Sequence, residues 1–215
     1  MPVITVERKI LEKNDQLATQ NRQLFAEKHI TVFNLLSSPG SGKTTLLEKL
    51  LPMLAESRCG VVEGDLQTDR DAQRIAALNV PVVQIVTNGG CHLDAGLVRD
   101  ALTNLDLDTI RLLFIENVGN LVCPAGYDLG EQKKIVIIST TEGDDKPLKY
   151  TTMFRAARVC IINKMDLLPW TDFNIETVKR NALQINPDLQ FFTVSAKTGT
   201  GMQELSAWFK SQLYK

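Results

Sequence analysis

The chain contains 215 residues, which is enough for one domain with an appendage and for a substantial buried core. Its 24 basic and 25 acidic residues leave a formal net charge of −1, so no strong positive field attracts nucleic acid or an anionic membrane. No apolar run approaches the ~20 residues of a membrane span, and no signal-peptide core follows the first charges. We therefore expect a cytoplasmic protein with no nucleic-acid partner and no membrane span.

The first 28 residues differ in character from the rest of the chain. They are polar, contain no glycine, and have no proline beyond position 2. Their apolar residues recur seven positions apart, which places them on one stripe of a helix: Ile10, Leu17 and Leu24, with Leu11, Ala18 and Phe25 alongside. We therefore predict an N-terminal helical arm over residues 1–28, packed against the remaining domain of residues 29–215 or against a partner chain.

From Ile30 onward, apolar strand patterns alternate with helical patterns. The predicted strands are Ile30–Leu36, Gly60–Glu63, Val82–Val86, Arg111–Glu116, Lys134–Ser139, Arg158–Asn163 and Gln190–Val194. The predicted helices are Thr44–Glu56, Asp69–Leu78, Leu93–Asn104, Leu148–Ala157, Asn174–Gln184 and Met202–Gln212. This alternation, with unbroken apolar runs in several strands, predicts an α/β fold: a doubly wound, mainly parallel sheet with helices on both faces. Ligands bind such sheets at the carboxyl ends of the strands, so the residues after each strand indicate function.

The residues after the first strand read SSPGSGKTT over positions 37–45. Two glycines in this segment lack side chains, so the backbone can wrap a phosphate closely and its N–H groups can form an anion-binding nest. The next helix begins at once and adds positive potential at its N-terminus. Lys43 is placed to reach the outer phosphates, and Thr44 to offer its hydroxyl to Mg²⁺. We predict the P-loop of an NTPase, although Ser37 replaces the usual first glycine; its residues are Gly40, Ser41, Gly42, Lys43, Thr44 and Thr45.

Two later strands end in residues that select the base. The segments Asn163–Asp166 and Ser195–Lys197 resemble the two base-reading loops of GTPases in general. The Asp166 carboxylate can accept hydrogen bonds from the ring N–H and the exocyclic amine of guanine, whereas adenine would leave it unpaired. The other expected contacts are Asn163 at the imidazole edge, the Lys164 stem over the ring face, and the Ala196 N–H on the guanine carbonyl. The predicted cofactor is therefore GTP or GDP, held by Asn163, Lys164, Asp166, Ser195, Ala196 and Lys197.

Acidic residues follow two other strands and predict ligands for Mg²⁺. Glu63-Gly64-Asp65 follows the second strand and Glu116 ends the fourth, and a hard cation that carries phosphates needs such oxygen donors. We predict that Thr44, Asp65 and Glu116 hold Mg²⁺, and that the Gly119 N–H senses the terminal phosphate. The predicted catalytic residues are Lys43, Thr44, Asp65 and Glu116.

The residue that orients the attacking water is less well defined by the sequence. Asp65 is the first candidate, with Asp69 and Asp71 as alternatives. The pattern from Thr68 to Asp71 is also typical of a helix cap. Because positioning and charge neutralisation dominate phosphoryl transfer, we expect GTP hydrolysis with a slow intrinsic rate.

Cysteine and histidine gather on the same side of the predicted sheet. Cys91 and His92 follow the third strand, and Cys123 lies a few residues past the end of the fourth. Two thiolates and an imidazole suit Ni²⁺ or Zn²⁺, while ordinary buried thiols are the alternative. Cys91 also lies near a predicted helix N-terminus, which favours its thiolate. The remaining residues of these types lack such neighbours, so we expect packed thiols at Cys59 and Cys160 and a surface position for His29.

Six segments of the chain read SSPGSGKTTLL, EGD, GCHLDA, ENVGNLVCP, TEGDDKPLKY and NKMDLLP. Together, over nearly the whole chain, they resemble the HypB family of hydrogenase nickel-incorporation GTPases. The resemblance implies Ni²⁺ or Zn²⁺ at Cys91, His92 and Cys123, a nucleotide-dependent homodimer, and nickel delivery to the large-subunit precursor of a NiFe hydrogenase. It also implies the maturation factor HypA as a partner. Lys146 or Lys149 is expected to reach phosphate across the dimer, with a solvated basic turn as the alternative.

The chain also departs from that family. Some members begin with a Cys-x-x-Cys-type nickel site or a histidine-rich stretch, but the histidines here are His29 and His92 alone. We therefore expect metal handling to rest on the site beside the nucleotide. Two other interpretations stay open: a regulatory GTPase switch with a structural zinc site and no delivery role, and a small-molecule kinase on the same fold.

Overall fold

The computed structural model describes residues 6–67 and 70–213. The predicted helix cap at Thr68 and the alternative water-orienting residue Asp69 lie outside the described residues. Among those residues, no helix is both long and apolar enough to cross a bilayer.

A seven-stranded sheet forms the centre of the molecule. Its strands are β1 Thr31–Ser37, β2 Cys59–Asp65, β3 Val82–Val86, β4 Leu112–Glu116, β5 Lys133–Ser139, β6 Ala157–Asn163 and β7 Gln190–Thr193. All neighbouring pairs are parallel, in the order β3-β2-β4-β1-β5-β6-β7. The sheet is therefore wound outward in both directions from β1, which confirms the predicted fold class and brings the strand ends after β1, β2 and β4 together.

Helices cover both faces of the sheet. They are α1 Val6–Glu27, α2 Lys43–Met53, α3 Arg70–Ala76, α4 Ala95–Leu102, α5 Lys146–Lys149, α6 Thr151–Ala156, α7 Ile175–Ile185 and α8 Met202–Gln212. Alternate residues of β4 point to opposite faces, so Phe114 packs in a core with α2, α3 and α8, whereas Ile115 packs in a core with α1 and α4. A third core lies under α6 and α7, on the same face of the sheet as the core with α1 and α4.

One predicted helix is wrong. The sequence pattern predicts a single helix over Leu148–Ala157, but the structure has α5 and α6, separated at Tyr150. The backbone of Tyr150 has φ −121° and ψ 48°, outside the helical region, and its side chain packs against the core under α6 and α7. That tertiary contact outweighs local helix propensity. The other predicted elements differ from the observed ones by a few residues at their ends, including short 3₁₀ turns.

The helical arm is present as α1, and its buried face overlaps the predicted stripe, since Ala18 and Phe25 are buried and Leu11, Leu17 and Leu24 are half-buried. Ile10 is 52% exposed, whereas Asn14, Ala18, Asn21 and Phe25 are buried at helical spacing. The face thus contains two asparagines, which the apolar pattern could not indicate. It lies against α4 and against the segment that precedes β5.

The cysteines and the histidine that were not assigned to a metal site lie as the sequence predicts. Cys59 and Cys160 are buried, and burial raises the pKa of both thiols. His29 is exposed.

Candidate nucleotide and metal sites

The predicted P-loop lies between β1 and α2 at the carboxyl edge of the sheet. Gly40 and Gly42 have φ of 73° and 92°, conformations that a side chain would strain. A Cβ at Gly42 would also lie 2.7 Å from Nδ2 of Asn163, so the loop and the first base-reading segment touch at a glycine. The loop lines a cleft of about 490 Å³, together with residues that follow β2 and β4.

Hydrogen bonds to neighbouring side chains hold the polar side chains of the P-loop in place. Nζ of Lys43 donates to Oγ of Ser37 at 2.8 Å, so the serine that replaces the usual glycine positions the lysine. Oγ1 of Thr44 donates to Oε1 of Glu116 at 2.9 Å. Ser41 is buried and Thr45 is exposed, where its hydroxyl accepts from Arg74.

Two glutamates stand side by side on the floor of the cleft. Glu63 and Glu116 are partners in the register of β2 and β4, so both side chains project from the same face of the sheet. Burial, followed by the negative charge of Glu116, raises the pKa of Glu63 far above its usual range. Burial also raises the pKa of Glu116, although Lys43 opposes this. Within residues 6–67 and 70–213, Oε2 of each glutamate is buried and finds no donor.

The carboxylates that come together are not quite those predicted. Oxygens of Glu63, Asp71 and Glu116 lie within 4.8 Å of one another. Asp65 lines the same cleft, but its Oδ1 accepts from the N–H of Leu66. Glu63 was missed because the register of two strands cannot be seen in one sequence. Hard oxygen donors with unpartnered buried atoms fit a divalent cation such as Mg²⁺.

The two base-reading segments brace the P-loop and each other. Nδ2 of Asn163 donates to the Ser41 carbonyl at 3.0 Å, and Nζ of Lys164 donates to the Gly40 carbonyl at 2.7 Å. The Ala196 N–H donates to Oδ1 of Asn163 at 3.1 Å, where the sequence had suggested a contact to guanine for each. The structure therefore gives Asn163 and Ala196 bracing partners within the protein.

Asp166 lies at the open side of this brace. Its Oδ1 accepts from Oγ of Ser195 at 2.6 Å, which fixes the orientation of the carboxylate, and Lys197 beyond it is exposed. Ser195 of the second loop therefore orients the carboxylate that the sequence predicts to read the base.

The segment after β4 touches both the P-loop and the cysteine–histidine residues. A Cβ on Gly119 would lie 3.0 Å from Cα of Pro39, so this backbone packs directly on the P-loop. Oδ1 of the buried Asn117 accepts from the N–H of Leu93 at 3.1 Å, and Nδ2 donates to Oδ1 of Asn34 at 3.3 Å. Leu93 follows His92 directly, so one segment holds parts of both sites.

The three predicted soft ligands meet. Ligand atoms of Cys91, His92 and Cys123 lie within 4.8 Å of one another, and Sγ of Cys91 is 3.4 Å from Nδ1 of His92. The ring of His92 stacks on Tyr127 with centroids 3.8 Å apart. Two thiols and an imidazole at this spacing fit Ni²⁺ or Zn²⁺, with a coordination position left open.

The protonation of these ligands differs from the sequence expectation. A hydrogen bond with Cys123, and then burial, raise the pKa of Cys91, where the sequence had suggested a favoured thiolate. The helix α4 begins only at Ala95, so its N-terminus lies beyond the thiol. Burial lowers the pKa of His92, which keeps the imidazole neutral and able to ligate.

The two lysines after β5 have partners within the chain. Nζ of Lys146 lies 3.0 Å from Oε2 of Glu142 and 3.2 Å from Oγ of Ser38, at the start of the P-loop. Lys149 pairs with Asp145 at 2.6 Å and is more exposed. Lys146 thus lies close to the nucleotide cleft of its own chain.

A doubly wound parallel sheet with this loop after β1 defines the P-loop NTPase class, here with a soft-ligand cluster beside the cleft. A model of the CobW/HypB/UreG nucleotide-binding domain matches residues 31–193.

Similarity to three known proteins shows which family within this class the chain belongs to. The hydrogenase maturation factor HypB of Azotobacter vinelandii is 53% identical over 211 residues, covering 98% of this chain and 70% of that protein. HypB of Escherichia coli strain K12 is 49% identical over 211 residues, covering 98% and 73%. The crystal structure of HypB from Helicobacter pylori in complex with nickel has a TM-score of 0.90 and 39% identity, covering 94% and 95%. The chain belongs to the HypB family of hydrogenase maturation factors.

Proposed function

We propose that this protein is a GTP-hydrolysing metallochaperone that binds Ni²⁺ or Zn²⁺ and assists nickel insertion into NiFe hydrogenase. The observation that carries the proposal is the segment Glu116–Asn117. Glu116 faces the P-loop through Thr44, while the next side chain, Asn117, holds the N–H of Leu93 beside the cluster of soft ligands. One short segment therefore connects the nucleotide cleft to the metal ligands.

Guanine recognition rests on Asp166. Its carboxylate pairs with the ring N–H and exocyclic amine of guanine, while Ser195 holds it in the required orientation. Adenine leaves that carboxylate without partners, which costs binding free energy. In this proposal Lys164 and Lys197 flank the base, and Asn163 and Ala196 keep the two loops on the P-loop.

Hydrolysis rests on positioning within the cleft. Lys43 and the P-loop N–H groups bind the outer phosphates, and Gly119 lies close enough to the loop to contact the terminal one. Thr44, Glu116 and Asp65 would hold Mg²⁺, with Glu63 as an additional ligand, and the cation would supply positive charge that neutralises the phosphates. Asp65 and Asp71 both line the cleft as candidates for orienting water, and Asp71 is already paired with Arg74. We propose a slow intrinsic rate.

Metal handling rests on Cys91, His92 and Cys123. The relative from Helicobacter pylori was crystallised in complex with nickel, and the present ligand set suits that ion or zinc. A shift of Gly119 and Asn117 on loss of the terminal phosphate would move the loop that carries His92. Metal affinity and nucleotide state are then coupled in both directions by ~1–3 kcal/mol.

The proposed partners follow from family membership and from resemblance. They are a second copy of the chain in a nucleotide-dependent homodimer, the maturation factor HypA, and the hydrogenase large-subunit precursor. We place this activity in the cytoplasm. In the dimer, Lys149 is the more accessible of the two lysines for a phosphate of the other subunit, since Lys146 is engaged at its own P-loop.

Equilibrium titration of Ni²⁺ and Zn²⁺ tests the proposal, with a non-hydrolysable GTP analogue and with GDP. We expect affinities that differ between the two nucleotides, and loss of binding in a C91S/H92A/C123S variant that retains GTP binding. Equal affinities in the two states would remove the coupling.

The rival interpretation, a regulatory switch with a structural zinc site, is tested by C123S. It predicts lower thermal stability without specific loss of nickel transfer to the hydrogenase precursor. The metallochaperone predicts loss of transfer at near-normal stability.

A further inference from the structure

The helix α1 contacts both segments that carry the proposed metal ligands. We propose that α1 acts as a clasp that sets the geometry of the Cys91, His92 and Cys123 cluster, with Asn14 and Asn21 as positioning residues. The inference rests on the proposed metal site and adds a role for the arm.

Asn14 bridges the two ligand-bearing segments with its side chain. Its Oδ1 accepts from the Ala95 N–H at 2.9 Å, three residues after His92. Its Nδ2 donates to the Asp128 carbonyl at 2.9 Å, five residues after Cys123. One carboxamide therefore fixes the start of α4 relative to the loop after the third ligand.

Asn21 repeats this bridge two turns along the helix. Its Nδ2 donates to the Ala95 carbonyl at 2.9 Å and to the Leu129 carbonyl at 3.1 Å, and the side chain is fully buried. Buried amides that reach backbone groups of both segments are costly to leave unpaired, so they specify one arrangement. Two such bridges on one helix face hold the segments in register at two points.

Contacts of α1 with the loop that precedes β5 lead to His92, one of the proposed metal ligands. The Arg22 guanidinium pairs with both carboxylate oxygens of Asp128, at 2.8 and 2.6 Å. The residue before Asp128 is Tyr127, whose ring lies on the His92 imidazole. The chain from α1 to the ligand thus runs through one ion pair, one peptide bond and one ring stack.

The close fit of α1 to this loop is visible at a glycine. Gly130 has φ +93°, and a Cβ there would lie 2.8 Å from the Ala18 carbonyl oxygen and 2.8 Å from Cβ of Asn21. The loop therefore approaches the backbone of α1 more closely than any residue with a side chain would allow. A contact of this kind fixes distance, which is what a metal site requires of its supporting residues.

Co²⁺ provides a direct readout of ligand geometry, since its visible bands and thiolate charge-transfer band report coordination number and thiolate ligation. The experiment compares wild type with N14A/N21A, using the full chain and Co²⁺ or Ni²⁺ alone. The matched control is N186A, because Asn186 is also buried and donates to two carbonyls, those of Phe154 and Ala157, under α6. If the double variant does not fold, the single variants N14S and N21S are compared with wild type instead.

We expect N14A/N21A to weaken Co²⁺ and Ni²⁺ binding about tenfold or more and to change the Co²⁺ spectrum. N186A should lower thermal stability to a similar degree and leave affinity and spectrum unchanged. The clasp is overturned if the asparagine variants, double or single, bind and absorb as N186A does. If C91S/H92A/C123S keeps the wild-type spectrum, the proposed metal site itself fails, which is a separate result.

Discussion

The nucleotide cleft and the cysteine–histidine cluster lie beside each other but are held together in different ways. The loops of the cleft brace one another, as when Asn163 and Lys164 donate to carbonyls of the P-loop itself. The metal ligands come from two segments that are bridged from outside by α1, through Asn14 and Asn21. The cleft is therefore a self-supporting site, and the metal cluster is one whose geometry depends on a distant part of the chain.

The largest effect is expected from a substitution that impairs nucleotide binding alone. D166N replaces the double acceptor for guanine by a side chain that also donates, so GTP affinity should fall about 100-fold or more. Xanthine, which presents a carbonyl in place of the exocyclic amine, should gain affinity. Nucleotide titration measures both changes, with D172N as the control because Asp172 is exposed nearby. Unchanged Ni²⁺ affinity in the nucleotide-free variant would show that the geometry of the metal cluster does not depend on Asp166; undiminished GTP binding would contradict the assignment of Asp166.

A second substitution should impair the metal cluster and leave nucleotide binding intact. G130A forces a side chain into the backbone of α1 at a positive φ, so it should lower the free energy of unfolding by about 2 kcal/mol. Ni²⁺ affinity should fall while GTP affinity remains. The control is G126A, since a Cβ at Gly126 meets nothing within 4 Å. Denaturant unfolding and the two titrations measure the outcome, and equal behaviour of the two variants would argue against the close fit.

N117A should act on the connection between the sites. Removing the acceptor for the Leu93 N–H loosens the metal loop from the segment after β4, so the nucleotide dependence of Ni²⁺ affinity should shrink by about 1 kcal/mol or more. The quantity to measure is the ratio of Ni²⁺ affinities with GTP analogue and with GDP. N120A, which removes only a local acceptor for the Val122 N–H, should retain the wild-type ratio. A full ratio in N117A would show that coupling takes another route.

The smallest effect concerns the ion pair of the clasp. Burial opposes ionisation of Asp128, but the hydrogen bonds from Arg22 and from the Gly130 N–H, together with the positive charge of Arg22, outweigh it and lower the pKa of this carboxyl. A lowered folded-state pKa stabilises the protein above about pH 4, and this contribution disappears as the pH falls through the folded value. Both partners are partly exposed, so the contribution should be below about 1 kcal/mol. Thermal unfolding of wild type and D128N should therefore differ at pH 7 and converge as the pH falls below the folded-state pKa of Asp128; a constant difference would contradict this origin.

The contrast also explains what could be predicted from the sequence. The P-loop and the predicted base-reading segments are contiguous motifs after apolar strands, so their meeting at one edge of the sheet could be predicted. The position of Glu63 beside Glu116 was not predicted because it depends on the register between β2 and β4, which local pattern does not contain. The break at Tyr150 escaped because a tertiary contact overrides helix propensity there.

The asparagines of α1 escaped for a further reason. Asparagine is mostly exposed in proteins, so the apolar pattern of the helix did not place Asn14 and Asn21 on the buried face. Their burial is favourable only because carbonyl and N–H groups of distant segments meet them. The positions of Cys91, His92 and Cys123 after two strands did predict that these side chains meet, but not which residues support them.

The long sequence separations within the clasp have a consequence during synthesis. Asn21 meets partners 74 and 108 residues further along the chain, and Asn14 meets one 114 residues away. As the polypeptide leaves the ribosome, α1 precedes both segments, and its bridge to the second of them cannot form until Asp128 and Leu129 have followed. Nascent chains that end after Cys123 but before Asp128 contain all three proposed metal ligands without the second half of the clasp, so the mature nickel-binding geometry should appear only once Leu129 has been added.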